Sequence, residues 1–255
     1  MNTKTIDKYK NFGLRTEWVE MYLTERNDFW GSNHGLNPNY QVPALKSWLK
    51  DALIIDNANN ITPLGELLAT VQIDYPNLVW EVIWTNLSYN SFIVNWFVNN
   101  VKNGETYSSK LLEELLKNQY SVYKDKTVHN AVYQLIRTLK ESPIGSMGIC
   151  IEGEGLNYSK EPYDDLSREA VAYSLYKYAE AVGTKSLRVS DLYQTDCKQG
   201  VYREFGISRN AFESQLRSLN SDTNRVLVAE LNMGLDSITL RDDLDALEAL
   251  KILTK

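Results

Sequence analysis

The sequence predicts a mainly α-helical protein in which short β-hairpins (wings) join helices into winged-helix-like units. Two observations lead to this prediction. Apolar residues recur at three- and four-residue spacing along most of the 255 residues, which is typical of amphipathic helices. Short runs rich in β-branched residues, broken by polar turns, stand next to these helical segments and indicate hairpins.

The first two predicted helices lie in the first fifth of the chain. Leu14, Trp18 and Tyr22 form an apolar stripe that predicts a helix over about residues 14–23. Asn39 is a suitable N-cap for the second helix. The second helix has an apolar face made of Val42, Leu45, Trp48, Leu49 and Ala52.

A hairpin is predicted directly after the second helix. Residues 53–55 form a β-rich run, residues 56–60 form a polar tip, and residues 61–62 return. Thr62 precedes Pro63, and this pair predicts the start of the next helix, because Thr caps helices and Pro is tolerated in the first turn. We interpret the hairpin as a wing.

The segment 78–97 is dense in aromatic residues at helical spacing, and we interpret it as core packing between helices. A platform that stacks nucleic-acid bases would need basic residues among the aromatics, and residues 78–100 contain none.

A helix–turn–helix is predicted over residues 108–140. Ser108 or Ser109 caps a helix that runs through Asn118, and a turn over 119–125 leads into a second helix over about 126–140. This second helix is strongly amphipathic. Its apolar face comprises Val128, Ala131, Val132, Leu135, Ile136 and Leu139.

The C-terminal part repeats the pattern. Asp165 or Ser167 is expected to cap a long helix, and Ile207-Ser208 leads into a helix over 209–219. Residues 226–228 and 237–240 are predicted strands, and a final helix spans about 242–253. Glycine and proline are most frequent near 143–162, so we expect a linker or long loop over 143–162. It should separate an N-terminal helical domain with winged-helix-like units over 1–142 from a C-terminal helical domain with a possible further winged helix over 163–255.

Composition excludes several classes of function. The formal net charge of −6 argues against nonspecific coating of nucleic acid. The two cysteines and two histidines lack the spacing of a metal site, and no glycine-rich phosphate loop or nucleophile elbow occurs. We therefore expect no cofactor, no metal and no catalytic residue. Without a signal sequence or a membrane-length apolar run, we expect a cytoplasmic protein that does not enter the membrane.

The best candidate site is the polar side of the helix over 126–140, together with the turn before it. Amide and cationic side chains at such a position are typical of contacts with base edges and phosphates. The candidate residues for binding DNA or a partner are Lys124, Lys126, Thr127, His129, Asn130, Gln134, Arg137 and Lys140. Protein docking and a merely solvated surface are the competing interpretations of the same face.

Several segments together resemble the bacterial domain of unknown function 4007. The segments are Phe12-Gly13-Leu14-Arg15 with Trp18, then Val42 to Leu49, Ile61 to Leu68, Trp80 with Trp84, Asn95-Trp96-Phe97, Thr127 with Arg137-Thr138, and Val171 to Leu175. They occur in the family's order and cover most of the chain. The family often has a histidine before the first segment, where this chain has Tyr9-Lys10-Asn11, so no role of that histidine is carried over.

The resemblance implies an accessory role beside proteins similar to phosphoadenosine phosphosulfate reductase, in DNA phosphorothioation and phage-defence islands. Such a reductase-like protein is the partner that it implies, and DNA is a second possible ligand. The sulfonucleotide-binding Ser-Gly-Gly loop of those reductases is missing from this chain, so their chemistry is not implied. A structural adaptor without DNA contact and an enzyme with a site assembled from scattered residues are the alternatives.

Overall fold

The computed structural model describes residues 6–149, 151–153, 157–232 and 234–255. These residues are mainly helical and include two small antiparallel sheets, each of three strands, so the predicted fold class is confirmed. The chain divides into two compact units, Met1–Glu161 and Pro162–Lys255.

The N-terminal unit begins with five helices. These are α1 (Thr16–Glu25), α2 (Gln41–Asp51), α3 (Pro63–Val71), α4 (Pro76–Asn90) and α5 (Phe92–Asn100), with a 3₁₀ turn over Arg26–Gly31. Trp48, Trp84 and Phe97 are fully buried, and α4 is buried without interruption from Leu78 to Ser88. The predicted core role of the aromatic segment is confirmed.

The connection between α2 and α3 forms less β structure than the sequence predicts. Ile55 and Ile61 make an isolated antiparallel bridge, and no strand forms on either side of it. The predicted helix start is confirmed, because the Thr62 hydroxyl accepts a hydrogen bond from the Gly65 amide at 3.0 Å. A Cβ atom on Gly65 would stand 2.5 Å from the Ile54 carbonyl oxygen, so only glycine permits this close approach at the start of α3.

The winged helix of the N-terminal unit lies further along the chain. Its elements are β1 (Thr106–Ser108), α6 (Ser109–Gln119), α7 (Asp125–Glu141), α8 (Pro143–Ser146), β2 (Ile151–Glu152) and β3 (Asn157–Ser159). The strands are ordered β1-β3-β2, and Tyr107 pairs with Tyr158. As predicted, the Ser108 hydroxyl caps α6 by accepting from the Leu111 amide at 3.1 Å.

The predicted linker over 143–162 is therefore wrong for most of its length. Pro143 starts helix α8, and strands β2 and β3 form a hairpin that completes the first sheet. The boundary between units falls between Glu161 and Pro162. Glycine and proline indicated a break in the helical pattern, but Pro143 begins a short helix. Residues 150 and 154–156 of the predicted linker lie outside the described residues.

The C-terminal unit is a second winged helix with an additional helix at its end. It comprises α9 (Arg168–Val182), β4 (Ser186–Arg188), α10 (Val189–Leu192), α11 (Val201–Phe205), α12 (Arg209–Ser221), β5 (Leu227–Glu230), β6 (Ser237–Leu240) and α13 (Ala246–Leu253). The strand order is β4-β6-β5. Ser167 and Ser208 cap α9 and α12. Helix α13 begins later than predicted, because Asp245 forms a capping box with Glu248.

None of the helices in the described ranges combines the length and the apolar character that crossing a lipid bilayer requires.

Candidate nucleic-acid interfaces

The predicted site on α7 separates into exposed and covered residues. Lys124, Lys126, His129 and Lys140 are exposed, whereas Thr127, Asn130 and Arg137 are half-buried. Gln134 is completely buried. The structure therefore does not place these side chains on one accessible surface.

Gln134 was predicted to face outward, and this prediction is wrong. Its side-chain oxygen accepts a hydrogen bond from the Tyr9 amide at 3.3 Å, and its side-chain nitrogen donates to the Asp7 carbonyl at 3.2 Å. Both partners belong to the segment before α1, which lies across α7. An amide that satisfies buried backbone groups is not available to a base edge.

Asn130 and Arg137 are also engaged within the protein. The Asn130 amide nitrogen lies 3.4 Å from the Asp7 carboxylate. Arg137 donates through Nε to Glu141 at 2.7 Å, and its guanidinium lies over the Tyr133 ring. Partial burial lowers the pKa of Arg137, but the hydrogen bond and charge of Glu141 outweigh this effect and raise it above its ordinary value. Arg137 cannot read a base without losing these contacts, and Asn130 keeps only its side-chain oxygen for another partner.

Towards the end of α7, close backbone packing covers the same side of the helix. The Leu14 amide donates to the Thr138 hydroxyl at 2.9 Å. A Cβ atom on Gly13 would lie 2.4 Å from the Thr138 backbone nitrogen, so only glycine permits this approach. The periodicity of α7 could not reveal this cover, since it comes from residues more than a hundred positions away. The only sign of this packing in the sequence was the apolar character of Tyr9, Phe12 and Leu14.

The exposed remainder of α7 is mixed in charge. His129 Nδ1 lies 2.9 Å from Glu113, and its ring stacks near Tyr133. Lys124 and Lys126 lie at the beginning of the helix, whereas Lys140 lies at its end with its ammonium over the Tyr158 ring. These cations are separated by most of the helix length and do not form a continuous basic surface with the amides.

Helix α12 of the C-terminal unit presents the surface that α7 lacks. Phe212, Leu216 and Leu219 are buried. The opposite side carries the α12 face, which we define as four exposed residues: Arg209, Asn210, Ser214 and Arg217. Arginine, asparagine and serine are side chains that contact base edges and phosphates in protein–DNA complexes.

The local sequence explains how α12 is positioned. Gly206 ends α11 in the left-handed conformation (φ 66°), which glycine adopts without strain. Ser208 then caps α12, with its hydroxyl accepting from the Ala211 amide at 3.3 Å and its own amide donating to Asp164 at 2.6 Å. Gly206-Ile207-Ser208 is thus the turn of a helix–turn–helix. The sequence indicated this motif, but we did not predict its outward residues as a site.

One carboxylate organises the charges on the α12 face. Glu213 accepts from Arg209 Nε at 2.9 Å and from an Arg217 terminal nitrogen at 3.0 Å. The hydrogen bond that Arg209 donates to Glu213 raises the pKa of Arg209. At the nearby wing, Asp236 accepts from the Ser190 amide at 2.9 Å. Its pKa is lowered first by Ser190 and then by the charges of Arg188 and Arg209. Arginines and carboxylates therefore alternate around this face.

The described ranges contain no group of three or more His, Cys, Asp or Glu side chains that could hold a metal ion. Cys197 is half-buried, with its sulfur 3.7 Å from the Tyr178 hydroxyl. Cys150 lies outside the described residues.

Comparison with known proteins identifies a shared fold. No family model and no curated protein matches the chain. A solved structure described as an SspB crystal structure matches with a TM-score of 0.67 over 96% of this chain and 86% of that one, at 14% identity. A magnesium ion-bound SspB crystal structure matches with a TM-score of 0.69, with the same coverage and identity. At this identity, the likeness shows that the chain has the SspB fold.

Proposed function

We propose that this protein is a non-catalytic accessory component of a cytoplasmic DNA-modification or defence system, and that it binds duplex DNA through the α12 face. The observation that carries the proposal is the exposure of Arg209, Asn210, Ser214 and Arg217 on the second helix of a capped helix–turn–helix. The sequence resemblance to the domain of unknown function 4007 supports a DNA-modification or defence system as the setting of this protein. It also supports a reductase-like protein as partner.

The charge of the chain sets limits on this binding. With a net charge of −6, affinity has to come from a local basic surface and not from the protein as a whole. The α12 face supplies two arginines. If each neutralises one phosphate, the logarithm of the binding constant should fall with the logarithm of salt concentration with a slope of about −2. A steep slope would instead indicate a larger basic surface.

Fluorescence anisotropy with a labelled short duplex tests the proposal. The double variant Arg209→Ala, Arg217→Ala should bind at least about tenfold more weakly than the wild type, since each base or phosphate contact contributes on the order of 1–3 kcal/mol. The matched control is Lys124→Ala, Lys126→Ala, which removes two exposed cations from the N-terminal unit and should bind normally. Equal losses in both variants, or wild-type protein without DNA affinity at low salt, would refute the role of α12.

A structural adaptor is the second candidate function, and exposed apolar residues at the second wing favour it. Val228 is 45% exposed and Leu235 is 55% exposed, beside the acidic Glu230. Exposed apolar side chains on a hairpin suit contact with a protein more than contact with phosphate. In that case Val228→Asp would abolish co-purification with a co-expressed reductase-like partner, and the arginine variants would have no effect on it.

A further inference from the structure

A polar cavity of about 450 Å³ opens in the N-terminal unit, beside the covered side of α7. It is lined by Asp7, Lys8, Lys10, Asn11, Tyr40 and Asn130. Its size lies within the range of small-molecule sites. The lining contains an aromatic ring, two amides, a carboxylate and two ammonium groups but no aliphatic side chain, so a fitting ligand is polar, has a planar ring and carries negative charge.

A strained turn holds Lys10 at this cavity. The Phe12 amide donates to the Tyr9 carbonyl at 3.0 Å, and the two residues between them, Lys10 and Asn11, both have left-handed backbones (φ 55° and 65°). Asparagine tolerates this conformation, but a lysine adopts it at a cost that glycine would avoid. Strained residues of this kind concentrate at ligand sites.

One end of the turn, Tyr9, is held by contacts with the core. The Tyr9 ring is buried and stacks on Trp48 with ring centroids 3.4 Å apart. The Tyr9 amide donates to Gln134, and the Tyr9 hydroxyl donates to Asp51. Lys10 therefore follows a residue that the core holds in place.

The charges in the cavity are unequally compensated. Lys8 is neutralised by Asp51, whose carboxylate oxygens lie 2.7 and 2.5 Å from its ammonium. Within the described part of the chain, no carboxylate forms an ion pair with Lys10, which is exposed. Tyr40 is 59% exposed. Asn11 Oδ1 accepts from Gln134 Nε2 at 3.5 Å and Asn130 Nδ2 lies 3.4 Å from the Asp7 carboxylate, so the Asn11 NH₂ group and the Asn130 side-chain oxygen are the amide atoms that can pair with a base.

We propose that this cavity binds a nucleoside monophosphate unit, either as a free nucleotide or as the terminal nucleotide of a strand. The base stacks on Tyr40, Asn11 and Asn130 contact its edge, and the phosphate pairs with Lys10. Asp7 accepts from a ribose hydroxyl or a base N–H group. This site shares no residue with the α12 face, and the proposal does not depend on DNA binding there.

Isothermal titration calorimetry of the full chain tests the site with adenosine and guanosine monophosphates, the matching nucleosides, inorganic phosphate and a 5′-phosphorylated oligonucleotide. We expect the monophosphates to bind at least about tenfold more tightly than the nucleosides, because only they pair with Lys10. A free nucleotide that binds more tightly than the oligonucleotide identifies the small molecule as the ligand, and the reverse identifies a strand end.

Two variants at Lys10 separate binding from folding. Lys10→Gly and Lys10→Asn relieve the left-handed strain, so their melting temperatures should equal or exceed that of the wild type while monophosphate affinity falls at least about tenfold. Tyr40→Ala should weaken binding of the nucleosides as well as of the monophosphates. The matched controls are Lys124→Ala and Tyr75→Ala, which alter an exposed lysine and an exposed tyrosine outside the cavity lining.

The proposal is overturned if wild-type protein binds no monophosphate. It is equally overturned if Lys10→Gly and Tyr40→Ala bind like the wild type, or if inorganic phosphate binds as tightly as the nucleotides.

Discussion

The side-chain oxygen of Gln134 lies 3.3 Å from the backbone nitrogen of Tyr9. This contact joins the start of the chain to the middle of α7 and places the Gln134 amide beneath other residues. It explains why α7, although strongly amphipathic and correctly placed in a winged helix, does not present the surface that its sequence predicts. The corresponding helix of the C-terminal unit, α12, does present such a surface.

Replacing Gln134 should destabilise the N-terminal unit. Gln134→Leu preserves approximate volume but leaves the Tyr9 amide and the Asp7 carbonyl without their partner. We expect a loss of about 1–3 kcal/mol in the free energy of unfolding. Urea denaturation measures it, with Lys126→Leu on the exposed side of the same helix as the control, expected to change stability by less than about 0.5 kcal/mol. Equal stability of the two variants would show that Gln134 is not a structural bridge.

A methyl group at Gly13 tests how tightly residues 7–14 cover α7. Gly13→Ala would place a Cβ atom 2.4 Å from the Thr138 nitrogen and 2.5 Å from the Arg137 carbonyl carbon, both backbone atoms. We expect destabilisation of at least about 1–3 kcal/mol, as in other overpacked sites. Gly31→Ala, where no atom lies within 4 Å of the added carbon, should be close to neutral in the same thermal melts. A tolerated Gly13→Ala would mean that the cover is loose.

These contacts also show which parts of the fold the sequence could reveal. Local signals located the helix starts at Thr62 and Ser108, because a cap and its helix are neighbours in the chain. The first wing was missed because β2 and β3 are short and lie in a segment rich in glycine and proline. The burial of Gln134 depends on residues more than a hundred positions away, which periodicity does not register. The apolar pattern of α12 was predicted correctly. However, nothing in the sequence near α7 or α12 indicated that the polar side of α7 would be covered and that of α12 would not.

Glu213 should restrain DNA binding by the α12 face. Its carboxylate holds both Arg209 and Arg217, and it would stand close to DNA phosphates. Glu213→Gln removes one negative charge and frees both guanidinium groups. We expect tighter binding to duplexes of unrelated sequence and a steeper salt dependence. Anisotropy titrations over a range of salt measure both, and Glu180→Gln, an exposed change of equal charge on α9, should match the wild type. Weaker binding by Glu213→Gln would instead assign the carboxylate a direct role in base contact.

The Asp236 carboxylate should make stability depend on acid pH. Hydrogen bonds from Ser190 and the charges of Arg188 and Arg209 lower its pKa in the folded protein. The carboxylate therefore stabilises the fold above its unfolded pKa of about 3.9, and this contribution is lost as the pH falls through the lower folded value. Asp236→Asn should melt below the wild type at neutral pH and approach it in strong acid. A difference in melting temperature that stays constant across this range would argue against the charge as its cause.

Amide hydrogen exchange on the full chain, with and without a short duplex at low salt, shows which of the two helices binds DNA. We expect DNA to slow exchange along α12 and the turn Gly206–Ser208 while α7 exchanges at its unliganded rate. Protection of α7 with no change at α12 would contradict this expectation.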